Sequence, residues 1–272
     1  LIPIFVWVTG VLLFNFSALW FWRMVAYLAV YHFIRQQYGF FRIYARNETV
    51  SKPERVINTL AIYSATVIPI LIWHFRDDRI FYWMVKDDFL LQPNRYAEAA
   101  CLAVLAVIQI TYLVKEIVRS AKQKRFNIPK NAVWAGTLVS WFLGIVYFNG
   151  DFTFTVTNVV AHGIPYMALV WISGKKSYVP GESGNFLKRV YTIQGIFLFI
   201  GIILLFAFME EGFWNTLVWG ETDKAQLFPG LNHLPKFTAR ETLSLVAPLL
   251  AVPQLTHYVL DGFIWRIRKN EV

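Results

Sequence analysis

The sequence predicts an all-α protein: a polytopic integral membrane bundle of seven or eight transmembrane helices, with its C-terminus on the cytoplasmic side. Three observations predict it. Of 272 residues, 57% are hydrophobic and only 16% are charged, and mean hydropathy is +0.45. Apolar runs of about 18 to 25 residues recur, the length that crosses a roughly 30 Å hydrocarbon core as helix. In lipid the backbone must satisfy its own polar groups, which selects helix, and the sequence lacks the alternating short segments of an outer-membrane barrel.

Eight apolar runs are the expected spans. The first, 2–14, is short; it has the size of a signal-peptide core, but no small-residue cleavage site follows it. The second, 19–38, can continue as helix to Ala45. The third is 56–75, the fourth 97–118 and the fifth 132–148. The sixth is 152–172, the seventh 187–209 and the eighth 242–265. Pro69, Pro165, Pro248 and Pro253 fall inside spans, where they should kink helices and free carbonyls. With no internal repeat and no soluble segment, residues 1–272 read as a single transmembrane helical domain.

The connections alternate in charge. Arg42, Arg46, Lys52 and Arg55 form one basic set. Lys115, Arg119, Lys122, Lys124, Arg125 and Lys130 form the next, followed by Lys175, Lys176, Lys188 and Arg189, then Arg266, Arg268 and Lys269. Acids gather in the alternate connections: Asp77, Asp78, Asp87 and Asp88; Asp151; Glu210, Glu211, Glu221 and Asp223. By the positive-inside rule the basic set faces the cytoplasm; a multi-pass protein of a bacterial inner membrane is the expectation. The net charge of +9 sits in these short connections, which points to anionic membrane lipid as partner and away from nucleic acid. The two long outer connections, 76–95 and 210–240, carry Phe81, Tyr82, Trp83, Phe213, Trp214 and Trp219. These aromatics are expected at headgroup level, with protein partners as the other reading.

Many chemistries are excluded. Cys101 is the only cysteine and lies in an apolar run, so there is no disulfide framework and no cysteine metal motif. HExxH, the histidine boxes of membrane desaturases, a phosphate-binding glycine loop and GxSxG are all missing from the sequence.

What remains are histidines inside spans, where ionisable groups are costly and point to function. His32 lies ten residues before Arg42, His162 thirteen before Lys175, and His257 nine before Arg266. At about 1.5 Å per residue these depths agree to about 6 Å, so three neighbouring helices would present imidazoles to one point. Each has polar company on its own face: Gln36 follows His32 by four, Asn158 precedes His162 by four, and Gln254 and Asp261 flank His257. Imidazoles with a carboxylate inside a bundle suit non-haem iron or another divalent metal. His32, His162, His257 and Asp261 are the expected ligands; Asp261 serves as a base as well, and Gln36 and Asn158 orient ligands or water. Arg35 is the rival partner for Asp261, in a purely structural ion pair. His74, beside Asp77 and Asp78, reads as interfacial, with an outer metal or proton-entry site as the alternative. His233 reads as a solvated loop residue.

A multi-span helical chain with His32, His74, His162 and His257 in or at the ends of its spans resembles the Brp/Blh-type bacterial membrane carotenoid oxygenases. The resemblance implies non-haem iron held by histidines and a lipid-soluble substrate. The chain departs from that family's paired HxxxH, having His257-Tyr-Val-Leu-Asp261 in its eighth span. The leading expectation is thus a membrane metal-dependent oxidoreductase or oxygenase acting on a lipophilic substrate. The alternatives are a non-catalytic membrane subunit of a larger complex, a haem-binding electron-transfer subunit using His162 and His257, and a proton-coupled transporter.

Overall fold

The computed structural model describes residues 1–177 and 185–264, and among them there is no strand. Helix α1 is Ile2–Phe16, α2 Ala18–Ala45, α3 Lys52–Phe75, α4 Arg95–Gln123 and α5 Ile128–Trp141. A π-helical stretch, Phe142–Tyr147, extends α5. Helix α6, Asp151–Asn158, runs through a second π stretch, Val159–Gly163, into α7, Ile164–Ser177. Helix α8 is Asn185–Val190, and α9, Ile196–Trp214, continues as π turns over Asn215–Trp219. The short α10, Thr222–Ala225, and the 3-10 turn Pro229–Leu231 lead to α11, Arg240–Ile264.

Five helices are long and apolar enough to cross a membrane: Lys52–Phe75, Arg95–Gln123, Phe152–Lys175, Ile196–Trp219 and Arg240–Leu260. Helix α1 is shorter, and α2 carries Arg23, Arg35 and Arg42 along its length. Large apolar side chains stand on the outside, with Phe197 79% exposed and Leu204, Leu205 and Phe206 exposed beside it. An apolar surface of this extent is stable against hydrocarbon and not against water.

Caps explain why helices outrun their apolar cores. Ser51 and Glu54 form a reciprocal capping box that starts α3 ahead of the apolar run. The side-chain oxygen of Asn94 accepts the Tyr96 and Ala97 N–H groups, and that of Asn127 accepts the Lys130 N–H. The seventh expected span differs most. The chain breaks between α8 and α9, where Thr192 Oγ1 accepts the Gly195 N–H at 3.0 Å. The helix then runs past Glu210 and Glu211 to Trp219, so these acids and Trp214 and Trp219 belong to a helix and not to a loop.

The chain divides into two compact units: Leu1–Ala18 with Ile164–Pro253, and Leu19–Gly163 with Gln254–Val272. In the first, Trp7 donates to the Leu245 carbonyl at 3.2 Å and Arg240 to the Asn15 carbonyl at 2.8 Å, tying α1 to α11. In the second, α3 packs along α4 and α5. Its connections sort to two ends. The segment after α2 and the turn before α5 share one end, where Asn127 donates to the Tyr44 carbonyl and Arg119 to the Thr49 carbonyl. At the other end Asn149 accepts from Trp73 Nε1 at 2.9 Å and donates to the Asp78 carbonyl at 2.9 Å.

The connection between α3 and α4 does not lie flat at a headgroup level. Phe81 and Phe89 are buried in a core with Trp73, Trp141 and Phe154, and Trp83 packs on its edge; Tyr82 is the exposed aromatic. Buried Asp88 folds this plug, its Oδ2 accepting the Trp83, Met84 and Val85 N–H groups. Arg79 ties it down through the Leu90 and Phe89 carbonyls.

Candidate functional site

The expected histidines meet inside the second unit. His32 Nε2 and His162 Nε2 are 3.2 Å apart, and the His257 ring centroid is 4.6 Å from that of His32. His32 is almost wholly buried. Depth counted along three helices thus brings the same three side chains together in space.

Local sequence explains how His162 reaches His32. Pro165 has no N–H, so it cannot bond the Ala161 carbonyl one turn back. The chain widens to a π turn over Val159–Gly163, with His162 within it. Such bulges re-aim side chains and recur at functional sites. Gln37 Nε2 takes up the Ala161 carbonyl at 3.2 Å, while its Oε1 accepts from Thr137 Oγ1 at 2.9 Å. Buried Gln37 is therefore a strut from α2 to the π turn and to α5. Its place beside Gln36 is the only signal for it in the sequence.

Aromatic rings wall the cluster. Tyr258 stacks on His32 at 4.8 Å, Phe33 lies 4.4 Å from His162, and Trp83 of the plug lies 5.5 Å from Phe33. Gln36 and Asn158 are buried, and both polar atoms of each amide make no hydrogen bond. A buried amide without partners is costly in a merely structural role. Asp261 sits one turn beyond His257 on α11; its side chain, like that of Asp151, lies outside the described residues, as do Arg266, Arg268 and Lys269. Arg35 donates to Tyr63 Oη at 2.5 Å and stands over the Tyr38 ring. Among the described residues no group of three or more His, Cys, Asp or Glu side chains is arranged to hold a metal ion.

His74 is engaged elsewhere. Its Nδ1 faces the Ile70 carbonyl at 2.6 Å and its Nε2 faces Tyr27 Oη at 2.5 Å. The Ile70 carbonyl can only accept, so Nδ1 carries the proton toward it; Tyr27 Oη also accepts the Leu90 N–H. Asp78 is taken by Arg76 at 3.0 Å.

A second polar cluster escaped the sequence reading. Lys130 is 0% exposed and contacts Glu48 at 2.9 Å and Glu116 at 2.7 Å. Glu116 also binds Lys115 and Asn131, and Tyr112 donates to Asn131 Oδ1 at 2.9 Å. In the sequence Lys130 and Arg119 look like loop charges, but both are buried in this network. The members come from α4, α5 and the segment after α2, so spacing along the chain hides them.

No protein-family model, curated protein or solved structure matches the chain.

Proposed function

We propose that this chain is a metal-dependent membrane oxidoreductase acting on a lipid-soluble substrate. His32, His162 and His257 hold a divalent metal, non-haem iron foremost, with Asp261 as fourth ligand or as the carboxylate that orients His257. One observation carries this reading, the 3.2 Å separation of His32 and His162 Nε2. Two nitrogens bound about 2.0–2.1 Å from one metal at octahedral or tetrahedral angles stand about 2.8–3.4 Å apart. The unpartnered amides of Gln36 and Asn158 supply donors and acceptors for water or a polar substrate group beside that pair. Phe33, Trp83 and Tyr258 offer an apolar wall against which a hydrocarbon chain packs. In this reading α2 and the α5 segment join the five long apolar helices to make seven spans, and α1 makes an eighth. The end of the second unit bearing Arg46, Lys122 and Lys124 then faces the cytoplasm of a bacterial inner membrane, and the C-terminus lies on that side.

Elemental analysis of the purified chain tests the proposal. About one equivalent of a transition metal is expected, lost in His32→Ala and in His162→Ala while helix content is kept. A metal-free wild type would sink it. The rival reading is a membrane subunit of a larger complex, in which His32 and His162 share one proton across the same 3.2 Å. The lack of a three-residue metal group among the described residues favours that rival. A metal-free chain whose His162→Ala variant loses thermal stability would support it.

A further inference from the structure

We infer that a second site, independent of the histidine cluster, binds a phosphate-bearing ligand at the end of the bundle opposite the aromatic plug. A cavity of about 580 Å³ opens there. It is lined by the segment Asn47–Thr49, by Glu116, Arg119, Ser120 and Gln123 of α4, and by the turn carrying Arg125 and Phe126.

The buried network is itself balanced: Lys115, Arg119 and Lys130 face Glu48 and Glu116, and Glu54, which accepts from the Ser51 N–H and Oγ, keeps its charge and faces Arg119 and Lys115. The charge left over is that of Arg125 on the rim, which among the described residues makes no ion pair or hydrogen bond. An anion in the cavity pairs with it.

The guanidinium of Arg119 favours phosphate. The residue is 9% exposed, and its Nε and Nη2 are held by Gln123 Oε1 at 3.3 Å and the Thr49 carbonyl at 3.2 Å. Its Nη1 makes no hydrogen bond and has only Glu48 at 3.5 Å. Glu48 itself is drawn to Lys130, so the Nη1 protons remain to be used. A rigid fork with free donors, in a cavity also lined by Ser120 and Thr49, matches tetrahedral phosphate oxygens. The volume is that of a pocket for a drug-sized molecule, larger than phosphate alone needs. The ligand is therefore a phosphomonoester whose organic part packs on Phe126. A soluble ester and a phospholipid headgroup share this chemistry.

The test uses the full chain in detergent, with glycerol 3-phosphate, dihexanoyl phosphatidic acid and dihexanoyl phosphatidylcholine as probes in calorimetric titration. Saturable binding of at least one monoester is expected, with phosphatidylcholine inert. Arg125→Gln, on the exposed rim, should weaken it about tenfold or more, as loss of a charge-assisted contact does. Arg119→Lys keeps the charge but not the fork, and should weaken it to a similar degree. Binding of both monoesters assigns a soluble ligand; binding of phosphatidic acid alone assigns a lipid headgroup. No saturable binding of either, or equal affinity in wild type and Arg125→Gln, would overturn the inference. Metal content is read on the same samples and should not change, since neither arginine touches the histidines.

Discussion

At the scale of single residues, the two ends of His257's helix turn give the sharpest test of the metal reading. His257→Ala and Asp261→Asn should lower metal content together, the second by about 10- to 100-fold in affinity, because a carboxylate that orients a ligating imidazole has that weight. Metal retained in full by Asp261→Asn, with stability lost, would remove Asp261 from the site. Asp88 makes a different prediction. Burial outweighs its three backbone N–H bonds and raises its carboxyl above the ordinary range. Its folded pKa thus exceeds its unfolded one, so its contribution to stability is full at low pH and fades as pH rises through the raised value. Asp88→Asn keeps one oxygen for those N–H groups and buries no charge. It should melt no lower than wild type at about pH 7 and lack this part of the pH slope. Asp88→Leu strands three N–H groups and should melt well below both. A melting point for Asp88→Leu equal to that of Asp88→Asn would refute the role given to Oδ2.

At the scale of elements, the helices other than the broken seventh span, and the meeting of the three histidines, were legible because period and depth are properties of one segment at a time. The π turn at Val159–Gly163 was half legible. Pro165 announced a freed carbonyl, but the group that answers it, Gln37, lies on another helix. The plug was misread for a related reason: Phe81 and Trp83 look like any interfacial aromatics until Asp88 folds the chain inward. Pro165→Ala restores the missing N–H and should let the π turn relax to α-helix. That rotates His162 away from His32, so metal content should fall while total helix content by circular dichroism holds. Gln37→Leu should do likewise and cost about 1–3 kcal/mol, since it strands the Ala161 carbonyl in a buried place. Unchanged metal in both variants would show that neither element aims His162.

At the scale of the whole molecule, orientation rests on fewer charges than a count of the sequence offers. Lys115, Arg119 and Lys130 are spent inside the fold, leaving Lys122, Lys124 and Arg125 exposed in that connection. These still outnumber its acids, and a cysteine placed at Lys124 should react with a membrane-impermeant thiol reagent only after the bilayer is opened. Labelling from the outer side of intact cells would reverse the orientation. The buried network also has a bearing on how the chain is made. Glu48 and Glu116 leave the ribosome before Lys130, the cation that bridges them. Until then α4 carries a carboxylate whose burial is unfavourable, held only by the adjoining Lys115. Helices α4 and α5 should therefore enter the bilayer as a hairpin, the first waiting at the translocon for the second. A cysteine placed in the middle of α4 should stay open to a water-soluble thiol reagent in a chain truncated between Gln123 and Lys130, and be shielded in one extended past Trp141.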